Sequence, residues 1–113
     1  MKYLLLIYEA EAHQEAPNPE ELEAWFELTE EMQEAGVMLG GDALQPTTTA
    51  TTVRIREGRT VTSDGPFAET KEQLGGYYLV DVPDLDEALR WAARMPNADR
   101  GSIEVRPVME FDQ

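Results

Sequence analysis

The chain opens with an extended segment in which apolar residues fill both alternating sets. Tyr3, Leu5 and Ile7 lie on one side, and Leu4, Leu6 and Tyr8 on the other. A strand over residues 2–8 is therefore apolar on both faces and needs cover on both. Helices of the same chain can supply one cover. A second sheet, most simply from another copy of the chain, can supply the other. After a polar loop at 9–18 the period lengthens. Asn18, Pro19 and Glu21 read as helix N-cap, first helical residue and capping-box partner. Leu22, Trp25, Phe26, Thr29 and Met32 then share a stripe at helical spacing, the mark of plain core, and glutamates coat the rest as far as about Ala35. Gly36 suits the left-handed terminator.

Residues 37–44 predict a strand interrupted by Gly40-Gly41, which marks a bulge or a close backbone approach. A threonine-rich run from Gln45 leads to short strands at 52–56 and 60–62, joined by a Glu57-Gly58 hairpin turn. Ser63-Asp64-Gly65-Pro66-Phe67 is dense in turn formers, and the polar run 68–74 has room for one helical turn. Residues 76–82 form a strong strand closed by Pro83. Asp84 and Glu87 make a second capping box, behind which Leu85, Ala88, Leu89 and Ala92 share a face until Pro96. Residues 103–109 are the last strand. The order predicts an α+β fold: a ferredoxin-like βαββαβ unit with an inserted hairpin, forming one domain over 1–113. A face-to-face homodimer would cover the second side of the first strand.

Charge and composition narrow the partners. The net charge is −14, from 23 acidic and 9 basic residues. Such a surface repels phosphate backbones and anionic membranes, which excludes nucleic acid and membrane as direct partners. It serves solubility, or attraction to a basic protein. The chain has no cysteine, which excludes disulfides, thiolate catalysis and cysteine metal sites. The apolar start is too short for a secretion signal, and Glu9 and Glu11 follow at once, so the expected location is cytoplasmic. His13 among Glu9, Glu11 and Glu15 is too sparse a set for a metal site. No P-loop, dinucleotide fingerprint or serine-nucleophile motif is present, and no cofactor is expected.

The stretch from Asp64 to Tyr78, DGPFAETKEQLGGYY, resembles the signature of the DGPF-motif (YCII-related) family. The opening MKYLLLIY, the segment GGDALQP at 40–46, the run DLDEA at 84–88 and the close VRPVME at 105–110 match it in order. The resemblance spans essentially the whole chain. It implies a dimeric α+β barrel. It also implies a link, for some members, to extracytoplasmic-function sigma factors, and hence a regulatory or stress-related role. Relatives in the wider group carry a His–Asp pair in a pocket, with the histidine in the first helix. Here that helix has no histidine and offers Trp25 and Phe26 instead.

The candidate chemistry is carboxylate chemistry. Asp64 reads either as a pocket acid, base or anchor, or as a turn former whose carboxylate bonds nearby N–H groups. Asp42, after two glycines, reads as a carboxylate at a ligand's approach or as an exposed bulge residue. The expected ligand-binding set is Asp64, Gly65, Pro66, Phe67, Glu69, Lys71, Tyr77 and Arg106. Phe67 would plug the loop onto the sheet or onto a partner chain. Glu104 and Arg106 share a strand face and become an interior pair, near Tyr77 or Tyr78, if that face lines a barrel. Two functions follow: a ligand-binding or regulatory module, or a small pocket enzyme of isomerase or cofactor-independent oxygenase type using Asp64 or Asp42 as acid–base group.

Overall fold

Both helices begin where the sequence places a cap. The Asn18 side chain accepts the Glu21 N–H at 2.8 Å, and Asp84 accepts that of Glu87 at 2.9 Å. The first helix ends against Gly36, whose φ of +72° is one a side chain would strain. A computed structural model describes residues 1–10 and 18–111 of the chain. Its elements are β1 (Lys2–Ala10), α1 (Pro19–Glu34), β2 (Met38–Ala43), β3 (Thr51–Arg56), β4 (Arg59–Asp64), β5 (Glu72–Asp81), α2 (Leu85–Ala93) and β6 (Ser102–Pro107), with a 3₁₀ turn at Thr47–Thr49. Four strands form an antiparallel sheet in the order β2-β5-β1-β6. This is the ferredoxin-like α+β arrangement. Strands β3 and β4 form a separate two-stranded ribbon inserted between its halves. Among the described residues, no helix is long and apolar enough to cross a membrane.

The core lies between the sheet and the helices. Tyr3, Leu5 and Val80 come from the sheet, Leu28 and Met32 from α1, and Ala88 from α2, with Val82 and Met95 completing the cluster. The stripe read from the sequence is rotated on α1. Met32 is buried and Trp25 packs against the core, but Leu28, not Phe26, turns inward, and Phe26 is 65% exposed. Neighbouring helical residues diverge by about 100°, so with Trp25 packed against the core Phe26 is left at the margin of that face. On α2 only Ala88 and Ala92 are buried, while Leu85 and Leu89 stay largely exposed.

The run 68–74 holds no helical turn. Its second half belongs to β5, where Glu72, Gln73 and Leu74 pair with Ala10, Glu9 and Tyr8. The register shifts between Ile7 and Tyr8 and leaves Gly75 as an extra residue in β5. Long-range pairing with the extended β1 thus overrides local polarity. A second shift falls between Met38 and Gly40 and leaves Leu39 as the extra residue, just before the double glycine.

The two faces of the sheet differ in cover. Leu4 stands opposite Leu79, and Leu6 opposite Tyr77, on the side away from the helix-packed core. These four residues and Tyr8 are only half-buried. The ribbon is barer still: Glu57 and Gly58, both at positive φ, form the tight turn that right-twisted hairpins favour, and every residue of β4 is exposed. The radius of gyration is 16.0 Å, against about 13 Å for a compact domain of this length. The accessible surface is 8040 Å², about 1,800 Å² more than a folded monomer of this mass exposes.

Candidate functional site

A cleft of about 390 Å³ opens between α1 and the sheet. Leu22, Trp25, Phe26 and Thr29 form its helical wall, and Ile7, Met38 and Tyr78 line the sheet side. The floor depends on glycine. A Cβ on Gly41 would sit 2.7 Å from the Tyr77 carbonyl oxygen and 2.9 Å from the Tyr78 ring. One on Gly76 would sit 3.0 Å from the Asp42 carbonyl oxygen. Side chains at these two points would push the strands apart.

The polar groups in the cleft are few and oriented. Trp25 and Tyr78 stack, with centroids 6.4 Å apart and planes 18° from parallel. The Thr29 hydroxyl donates to the Trp25 carbonyl at 2.9 Å and lies 2.7 Å from the Tyr78 hydroxyl. Thr29 has one proton and gives it to the backbone, so Tyr78 is the donor in the second bond. The Tyr78 oxygen then keeps lone pairs for a donor on a ligand. At one end Glu9 from β1 and Glu21 from α1 are both bound by Arg100, which their carboxylates hold even more firmly protonated than usual. This clamp ties β1 to the first turn of α1. It also offsets acidic charge at the cleft's edge.

The expected ligand set divides among three places. Asp64 ends β4, where its carboxylate is exposed and makes no ion pair with a described residue. Gly65, at φ +95°, donates its N–H to the Ala50 carbonyl at 2.7 Å and accepts from the Thr52 hydroxyl at 2.8 Å. Pro66 follows half-buried, and Phe67 is 79% exposed, so it does not plug the loop onto its own sheet. Glu69 is exposed. Lys71 borders a shallow depression with Tyr8, Ser102 and Glu104. Tyr77 and Asp42 meet on the open sheet face, the hydroxyl donating to the carboxylate at 2.8 Å. That bond, with the carboxylate's charge, raises the Tyr77 pKa above its usual 10. Arg106 donates to Glu104 at 2.7 Å on the Tyr77 side of the sheet, with Leu6 standing between the pair and Tyr77.

Of the expected residues, only Asp42 and Tyr77 belong to strand positions that border the cleft, and their side chains meet on the other face of the sheet. His13, Glu11 and Glu15 lie outside the described residues. Among the described residues, no group of three or more His, Asp or Glu is placed to hold a metal. Trp25, Thr29, Tyr78 and the Arg100 clamp emerge from the structure alone. One signal for them was in the sequence: a threonine, Thr29, interrupts an otherwise apolar stripe one turn after Trp25.

Comparison with known proteins identifies relatives along nearly the whole chain. The chain is 45% identical over 114 residues to Uncharacterized protein R00369 of Rhizobium meliloti (strain 1021), covering 96% of this chain and 92% of that protein. The sequence model of the YCII-related domain matches residues 1–112. The chain therefore belongs to the YCII-related domain family.

Proposed function

We propose that this protein is a small-ligand-binding module working as a homodimer, with the cleft between α1 and the sheet as its binding site. The observation that carries the reading is the composition of that cleft. An apolar slot with a stacked Trp25–Tyr78 pair, and few polar groups, suits a flat, mostly apolar molecule. The free lone pairs on Tyr78 ask that molecule for a hydrogen-bond donor. The cleft's acidic groups Glu9 and Glu21 are engaged by Arg100, and among the described residues lining the slot no side chain is an activated nucleophile, which favours binding over turnover. The open sheet face around Leu4, Leu6 and Leu79 is the natural dimer contact. A regulatory role through a basic protein partner, of the kind the sigma-factor link implies, fits the net charge of −14.

Native mass spectrometry of the freshly purified protein tests the reading. The expected result is a dimer, and an aromatic fragment library should yield binders that change Trp25 fluorescence. Trp25→Ala should weaken those binders about fivefold or more, since stacking contributes on the order of 1 kcal/mol beyond area burial. Binders that keep their affinity in Trp25→Ala would place the site elsewhere.

One pair favours the enzymatic alternative. Asp42 and Tyr77 form a hydrogen-bonded acid pair on the open sheet face, across the strands from the cleft. Turnover of a bound compound that is lost in Asp42→Asn, with binding retained, would replace the binding-module reading.

A further inference from the structure

We propose that the β3–β4 ribbon is an arm that docks on a second copy of this chain, with the DGPF turn as its brace. The inference goes beyond the cleft and beyond a sheet-to-sheet dimer, although it shares with the latter the assumption that two copies associate.

A two-stranded ribbon is marginal in water unless it packs against something. Among the described residues, nothing of the chain's own covers the ribbon. Val53 and Ile55 share one side and are 62% and 60% exposed. The base is nevertheless firmly built. The Gly65 N–H meets the Ala50 carbonyl, Thr52 holds the Gly65 carbonyl, and Arg54 donates to the Phe67 carbonyl at 3.3 Å. Three bonds thus fix the angle at which the arm leaves the body. Such a base suits an element held out for a partner.

Charge identifies the partner. Arg54, Arg56 and Arg59, on the other side of the ribbon, are three of the chain's nine basic residues, while the whole chain carries −14. Glu23, Glu27, Glu30 and Glu34 form an exposed ridge along α1 at spacings that set like charges against one another. A cationic arm laid across that ridge of a second copy relieves the repulsion. The ribbon is thin enough for arginine stems to curl past its edges while Val53 and Ile55 seat on the surface below. The surface excess of about 1,800 Å² per chain falls within what one partner buries in a large, permanent dimer.

The absence of cysteine makes the test direct. Ile55→Cys is labelled with a benzophenone maleimide and irradiated, and the products are separated by denaturing electrophoresis. The expected product is a linked pair of chains, with the photo-crosslink in residues 19–34 of the other copy. Crosslinks confined to single chains would overturn the proposal. A double variant, Arg56→Glu with Arg59→Glu, leaves the Arg54 brace intact and is followed by analytical ultracentrifugation. Its dimer should dissociate about tenfold or more readily, and lose much of its sensitivity to salt. A wild-type dimer matched by an unchanged double variant would sink the arm alone. A wild-type monomer at every concentration would sink both the arm and the homodimer.

Discussion

The four-stranded sheet and the β3–β4 ribbon are built from similar material and end in opposite states. Each has β-branched or aliphatic residues at alternate positions. In the sheet, Leu5 and Val80 are fully buried beneath two helices. In the ribbon, Val53 and Ile55 meet water. The difference lies in what stands above the strand, not in the strand itself. One face of the sheet is sealed by helices of the same chain, whereas the ribbon, with no helix above it, rests on its turn and on the bonds at its base.

Deleting apolar atoms in the two regions should expose the contrast most sharply. Leu5→Ala leaves a cavity under both helices and should cost about 2–5 kcal/mol in urea unfolding, whereas Ile55→Ala, measured where the chain is monomeric, should cost under about 0.5 kcal/mol. Equal losses would mean that the ribbon is packed within its own chain. A smaller effect is expected at the cleft floor. Gly41→Ala forces a methyl group against the Tyr77 carbonyl and the Tyr78 ring, and should lower stability by about 1–3 kcal/mol while disturbing the Trp25–Tyr78 stack. Near-ultraviolet circular dichroism would report the stack, and an unchanged spectrum would show that β2 moves away freely. The smallest effect concerns pH. Because the Tyr77 pKa is raised, the folded state keeps its proton where the unfolded chain has begun to lose it. The resulting contribution to stability is fully present below pH 10 and is lost as pH rises through the folded-state value. Phenolate absorbance should show one tyrosine titrating late, and Asp42→Asn should bring it back towards 10.

Much of the fold was legible because its determinants are local or doubly stated. The caps at Asn18 and Asp84 announce both helices, and the apolar first strand announces a strand packed inside the sheet. The register shift at Gly75 was not legible. It arises from pairing with Glu9 and Ala10, more than sixty positions earlier, and no local pattern in 68–74 encodes it. The exposure of Phe26 was hidden for a related reason, since a stripe gives the period of a helix but not its rotation about its axis. The site was harder. Residues 64–71 attract notice by composition, yet the structure sends them to the arm's base and a surface depression. The cleft is assembled from β1, α1, β2 and β5, and its clamp joins Glu9, Glu21 and Arg100, which only the folded topology brings together.

The extra residue at Gly75 has a consequence for how this chain can change over time. A strand that pairs without interruption ties every position to every other, because adding or removing one residue inverts all that follows. Gly75 breaks that tie at a single joint. Downstream, Gly76 to Asp81 keep their phase with β1 and hold the core; upstream, Glu72 to Leu74 run in a phase of their own and lead back to the arm. Length changes at this joint would turn over only three side chains. The arm and its brace can thus be lengthened, shortened or re-aimed by mutation while the sheet beneath the helices stays in register.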